Sequence, residues 1–346
     1  MPLSPAVTDP YSTTEDGEPQ PDSVPAAYAA LIAGLLAVLA AYLAPTPGVG
    51  TPVWATRTLA LLPRFRTQVR WALAELAAGL TVTLARGIDD VVRRAGREAA
   101  ADTRWGGPLP GVPAGTVRDV ADALTASHLR IQAVLESTYR DAVNAGMSAS
   151  GDPTHAIQHV LDELARRGIT GYTDRAGRRW SLEHYVETTV RARFGEAALS
   201  SYLDVCRSSG VRFAQISING SIHKACLVWE GLTVSLDGSP AGVYWVPSRA
   251  GRLVEVRCAG TLADSRAAGV WHPWCQHRLT AVVPGGGRRS RRSPSVDRVA
   301  RAQRRYMART ARAWRRRQRV ALTPQARDRA QANTERWTPR RTTERE

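Results

Sequence analysis

Of the 47 basic residues in this 346-residue chain, only Lys224 is a lysine. No glycine-rich loop is followed by Lys-Ser/Thr, which excludes a Walker-type phosphate cradle, and no dinucleotide fingerprint is present. Gly285-Gly286-Gly287 runs into arginines and reads as a flexible hinge. Cysteine is sparse: Cys206, Cys226, Cys258 and Cys275 lie far apart. Met1 is followed by Pro, Asp and Glu rather than by a basic region and an apolar run. A disulfide framework is therefore a poor expectation, and free thiols or a metal site a better one. Acidic residues are scarce at one end. From Arg288 onward there are 20 arginines against five acids, Asp297, Asp328, Glu335, Glu344 and Glu346. Nearly all of the net charge of +16 lies there. Such asymmetry points to DNA, another polyanion or an acidic protein surface as the tail's partner.

What is present divides the chain into four stretches. Residues 1–25 are rich in Pro, Ser, Thr and acids and read as a disordered lead-in. Residues 26–150 read as a helical region. Its first part, 26–44, is uncharged and long enough to cross a membrane, but nine of its 19 residues are Ala. A core or oligomer-buried helix and a membrane anchor are both open. Pro and Gly at 45–53 and 104–115 break the pattern. Between the breaks, Leu62, Phe65, Val69, Leu73, Leu76 and Leu80 recur at helical spacing, predicting one helix over 54–102. Val120, Leu124, Leu129, Val134 and Tyr139 predict another over 116–147. Residues 152–284 read as a compact α+β domain: a helix over 153–167, a helix capped by Ser181, a strand over 211–218 and strands at 227–236, 243–246 and 253–257. Trp180, Trp229 and Trp245 in it are expected to pack in the core. Residues 285–346 form a basic tail, helical in part over 296–322, with few expected core contacts. The fold class is α+β.

Two constellations carry chemistry. His223-x2-Cys226 with Cys275-x-His277 offers two thiols and two imidazoles, a tetrahedral Zn2+ ligand set. Buried thiols and hydrogen-bonded histidines are the plainer account of the same residues. A nucleophilic site could draw on Cys226 or Cys275 with His277 or His223 and Asp174 or Glu183, but Cys–His pairs arise readily by chance. In the tail, Arg288, Arg289, Arg291 and Arg292 precede Arg305, Arg309, Arg312, Arg315, Arg316, Arg317 and Arg319. Arg305, Arg309, Arg312 and Arg316 predict one basic helical face suited to phosphates, with Tyr306 and Trp314 interleaved.

Residues 162–285 also carry a resemblance. Asp162 to Asp174, Gly177-Arg178-Arg179-Trp180, Tyr185 and Arg191 form a first block. Ile216-Ser217, Cys226-Leu227-Val228-Trp229-Glu230-Gly231 and His272 to Arg278 with Pro284-Gly285 follow in order. The series resembles the phage minor capsid protein 2 family, related in role to the Mu F-like head-morphogenesis proteins. On it, Asp174, Gly177, Arg178, Trp180, Tyr185, Arg191, Cys226, Trp229, Gly231, Cys275 and His277 are the family-motif positions. The resemblance implies a non-enzymatic virion protein, internal or portal-associated, made in the bacterial cytoplasm and partnered by portal and head proteins. A phage-delivered nuclease or transferase and a protein anchored in a membrane through 26–44 are the rival expectations.

Overall fold

The computed structural model describes residues 23–173, 177, 179–218, 223–248, 250–272, 275, 277–284 and 298–338. The fold is α+β. The described residues form two compact units, one holding 23–83, 118–190 and 299–338, the other 84–117, 191–284 and 298. These are interleaved along the chain rather than consecutive blocks.

The first unit is mostly helical. α1 (Val24–Tyr42) starts at Ser23, whose Oγ accepts the Ala26 N–H, with Pro25 in the first turn. Tyr28, Ile32, Leu35, Leu36 and Leu39 form its buried face. Tyr28 Oη lies 3.0 Å from His128 Nε2. Burial raises the Tyr28 hydroxyl pKa well above its ordinary value and lowers that of His128. By length and composition both α1 and the stretch Pro52–Thr103 suffice to cross a membrane.

The helix expected over 54–102 is two: α2 (Pro52–Ala60) and α3 (Leu62–Thr103). Leu62, Phe65, Val69, Leu73 and Leu80 are buried as the spacing requires, and Leu76 is half-buried. The stretch 116–147 is also two helices, α4 (Thr116–Thr125) and α5 (His128–Met147). The break resets the helical phase. Leu129, expected on the apolar stripe, is 76% exposed, and Ile131 and Leu135 are buried instead. Tyr139 anchors α5 by donating to the Thr58 carbonyl at 2.7 Å. α6 (Pro153–Arg167) is capped by Asp152 and stopped by Gly168, whose φ of 75° suits glycine. β1 (Thr170–Thr173) and β2 (Arg179–Ser181) pair antiparallel. α7 (Leu182–Ser208) follows, with Ser181 Oγ accepting the His184 N–H as its cap.

The second unit is built on a four-stranded sheet. β3 (Phe213–Ile216) pairs antiparallel with β4 (Thr233–Ser235) and with β8 (Leu279–Ala281), and β4 pairs parallel with β7 (Gly260–Thr261). A separate antiparallel hairpin joins β5 (Gly242–Pro247) to β6 (Leu253–Cys258). Strand alternation covers both faces of β3. Ala214 and Ile216 join Ala95 and Ala99 of α3 and Leu203 and Cys206 of α7 in one apolar cluster. Phe213 packs with Val256 and Cys258 in another. Of the apolar run expected as a strand over 227–236, residues 227–229 close a short helix, α8 (Lys224–Trp229), and 233–235 form β4. α9 (Leu262–Ala267) carries a capping box between Thr261 and Asp264. Of the three tryptophans expected to pack inside, Trp180 and Trp229 are half-buried, but Trp245 on β5 is exposed.

The tail is not detached. α10 (Arg298–Arg319) and α11 (Pro324–Trp337) belong to the helical unit, and Ala308, Ala311, Val320 and Ala330 are buried there. Gln158 of α6 accepts the Leu322 N–H and donates to the Val320 carbonyl. The expectation of few core contacts is thus corrected: small alanines between the arginines make an apolar seam that net charge conceals.

Candidate functional site

The Cys/His residues converge in the sheet unit. His223 stands at the N-cap of α8, which places the fully buried Cys226 one turn further on. The opposing segment leaves α9 through Trp271, a non-glycine residue at φ 68°, held by its Nε1–H to Ser265 Oγ at 3.1 Å. The Cys275 N–H donates to the His272 carbonyl at 2.7 Å. Two backbone anchors on β3 fix the approach. The Gly231 N–H donates to Ile216 O, and the Ser217 N–H donates to Arg278 O. Gly231 holds φ 75°, and a Cβ there would meet Ile218 Cδ1 at 3.1 Å, so the turn after Glu230 needs glycine.

The ligating atoms of Cys226, Cys275 and His277 all lie within 4.8 Å of one another, and so do those of His223, Cys226 and His272. Cys226 belongs to both sets. The four residues expected from spacing are thus brought together around one thiol, without His223 being close to every other member. His277 Nδ1 is 3.2 Å from Cys275 Sγ, and its Nε2 is 3.0 Å from Glu230 Oε1. The His223 and His272 rings stand 4.5 Å apart. Burial pushes the Cys275 thiol up, but its hydrogen bonds with His277 outweigh this and the net direction is down. Burial works to lower His277, and the contacts with Cys275 and Glu230 carry it above its ordinary value. Burial, with His223 and His277 nearby, lowers His272.

Sequence reasoning missed His272 and Glu230. The first was findable, because His272-x2-Cys275 repeats the His223-x2-Cys226 spacing. Nothing local marked Glu230, which reaches His277 across 47 residues. Of the acids considered for a thiol nucleophile, Asp174 lies outside the described residues, and Glu183 pairs with Arg316 in the helical unit.

The basic helix is the second candidate. Arg288, Arg289, Arg291 and Arg292 lie outside the described residues, as does the side chain of Arg305. Arg309 and Arg319 are exposed. Arg312 and Arg316 turn inward toward Glu183. Arg316 donates through Nη1 to both Glu183 oxygens at 2.8 and 3.0 Å and through Nε to the Ala165 carbonyl at 2.8 Å. Arg317 lies over the Trp314 ring, 4.3 Å from its centroid, and Arg315 is half-buried. The single outward face expected over Arg305, Arg309, Arg312 and Arg316 is therefore divided, because the seam of Ala308 and Ala311 sets which side of α10 faces inward.

Among the remaining motif positions, Tyr185 donates to the Ala123 carbonyl at 2.9 Å, Trp180 stacks on His184, Arg191 is buried and Trp229 packs on the sheet cluster. Gly177, between β1 and β2 in sequence, takes φ 77°, and Arg178 lies outside the described residues. These roles are architectural. A family model described as phage minor capsid protein 2 matches residues 16–343, and the chain belongs to that family. No curated protein and no solved structure gives a significant match.

Proposed function

We propose that the chain is a portal-associated minor head protein that assists head assembly and contacts packaged DNA through its C-terminal arginines. The carrying observation is the concentration of 20 arginines against five acids after Gly287 in a phage capsid family member. Arginine stays protonated at any working pH, so this charge is permanent. Phosphate contacts of this kind release counterions and carry little sequence information. Arg312 and Arg316 are occupied by Glu183. Of the candidate arginines on α10, Arg309 and Arg319 are exposed, and with Arg288, Arg289, Arg291 and Arg292 we take them as the DNA-contacting set.

Purified particles should contain the chain at low copy, and its absence from intact particles would count against the reading. Full-length protein should bind duplex DNA without sequence preference. Changing the six DNA-facing arginines to Gln should make the log–log salt slope shallower by about 5, at roughly 0.9 per phosphate contact. An unchanged slope would move the partner to an acidic protein surface. Point changes are the better probe here, since truncation after Gly287 would also remove the buried seam of α10.

A further inference from the structure

We propose that Cys226, Cys275 and His277 bind one zinc ion, with the fourth ligand drawn from the His223–His272 pair and Glu230 orienting His277. The inference is independent of the DNA reading and concerns the sheet unit alone.

The donor set decides the metal. Two thiols and borderline imidazoles suit zinc, whereas magnesium and calcium require oxygen. In a tetrahedral site with Zn–S near 2.3 Å and Zn–N near 2.0–2.1 Å, neighbouring donor atoms lie about 3.3–3.8 Å apart. The ligating atoms here already fall within 4.8 Å in each set, and the Cys275–His277 pair stands at 3.2 Å. Small side-chain adjustments complete the geometry. Both thiols give up their protons to solvent on binding.

The outer contact supports the same assignment. A ligating histidine ordinarily offers one ring nitrogen to the metal and donates the other N–H to a carboxylate. His277 has this arrangement: Nδ1 faces the thiol cluster and Nε2 meets Glu230 Oε1 at 3.0 Å. Glu230 and His277 are both nearly solvent-free. A Cys275–His277–Glu230 nucleophilic triad would use the same three side chains. It would give no role to Cys226, nor to two further imidazoles gathered at that thiol. Two segments 49 residues apart, each carrying His-x2-Cys, are instead what a metal staple needs. They flank strands only three or four residues long, so a cross-link here joins segments that the sheet holds weakly.

The test uses the full-length protein. Elemental analysis after dialysis should find about one zinc per chain. Cobalt substitution should give a thiolate-to-metal charge-transfer band, reduced by about half in Cys275→Ser. Cys258→Ala, in a different apolar cluster, should keep its zinc. Glu230→Gln should fold but bind zinc about 10–100-fold more weakly in chelator competition, the usual effect of losing such a partner. The double change His223→Ala/His272→Ala should weaken zinc as well. Folded, zinc-free protein whose melting is indifferent to added zinc and to chelator overturns the proposal. So does rapid stoichiometric alkylation of Cys275 in zinc-saturated protein, which would make that thiol a nucleophile.

Discussion

Arg316→Ala should destabilise the helical unit by about 2–3 kcal/mol. The side chain is 11% exposed and makes two kinds of contact. Its Nε–H caps the Ala165 carbonyl in the last turn of α6, where a cation also meets the negative end of the helix dipole. A charge-assisted hydrogen bond of this kind contributes about 1.5–3 kcal/mol. Its pair with the partly exposed Glu183 is screened and adds about 0.5–1 kcal/mol. For a unit of this size the loss corresponds to a fall in Tm of about 4–10 °C. Arg309→Ala on the exposed side of the same helix removes the same charge and should change stability by no more than about 0.5 kcal/mol. Arg316→Lys should fall between, since an ammonium cannot make the Nε and Nη1 bonds together. Urea unfolding followed by far-ultraviolet circular dichroism measures all three. If Arg316→Ala and Arg309→Ala prove indistinguishable, the tail helix is not anchored as described and the charge on α10 acts only as a diffuse field.

Two further outcomes follow from the helical unit. Ile131→Ala should cost about 2–4 kcal/mol and Leu129→Ala less than about 0.5, two positions apart on one helix, because the first is buried and the second exposed; equal losses in chemical denaturation would restore a single continuous helix over 116–147. The hydrogen bond from Arg66, despite partial burial, holds the Glu136 carboxyl down at about 2 against an ordinary 4.5. A depressed carboxylate favours the folded state above its unfolded pKa and loses that contribution as pH falls through the folded value. The stability gap between the wild type and Glu136→Gln should therefore be constant above about pH 5 and close toward pH 2 in acid titrations; a gap that persisted at pH 2 would remove the ion pair as its source.

Local pattern carried much of the architecture. Ser181 marked a helix start in the sequence and serves as one, and the helix expected over 153–167 is α6, because caps act within one turn. The stripe from Leu62 to Leu80 was equally legible. Leu129 was misplaced because a two-residue interruption between α4 and α5 leaves composition almost unchanged but rotates every later side chain. The run at 227–236 misled for a related reason: a short apolar segment has no period of its own, and α8 is set by its packing. At the cluster, residue types in His223-x2-Cys226 and Cys275-x-His277 pointed to the two thiols. Glu230 and Arg316 were invisible as partners because their contacts span 47, 133 and 151 residues. The arginine density of the tail hid Ala308 and Ala311, whose burial decides which charges are available.

The interleaving of the two units has a consequence for biosynthesis. Gln158 bonds to the backbone at Leu322, 164 residues later. At ribosomal rates of roughly 5–20 residues per second, about 8–30 s separate the emergence of one partner from that of the other. By the end of that interval α6 and Glu183 still lack the helix that covers them, while residues 191–284 of the sheet unit have already been made. Closure of the helical unit thus waits for α10 and the residues after it, and long-range closures of this kind are the slow ones. A nascent chain stalled before residue 316 should accordingly be far more open to protease in its first half than the released protein.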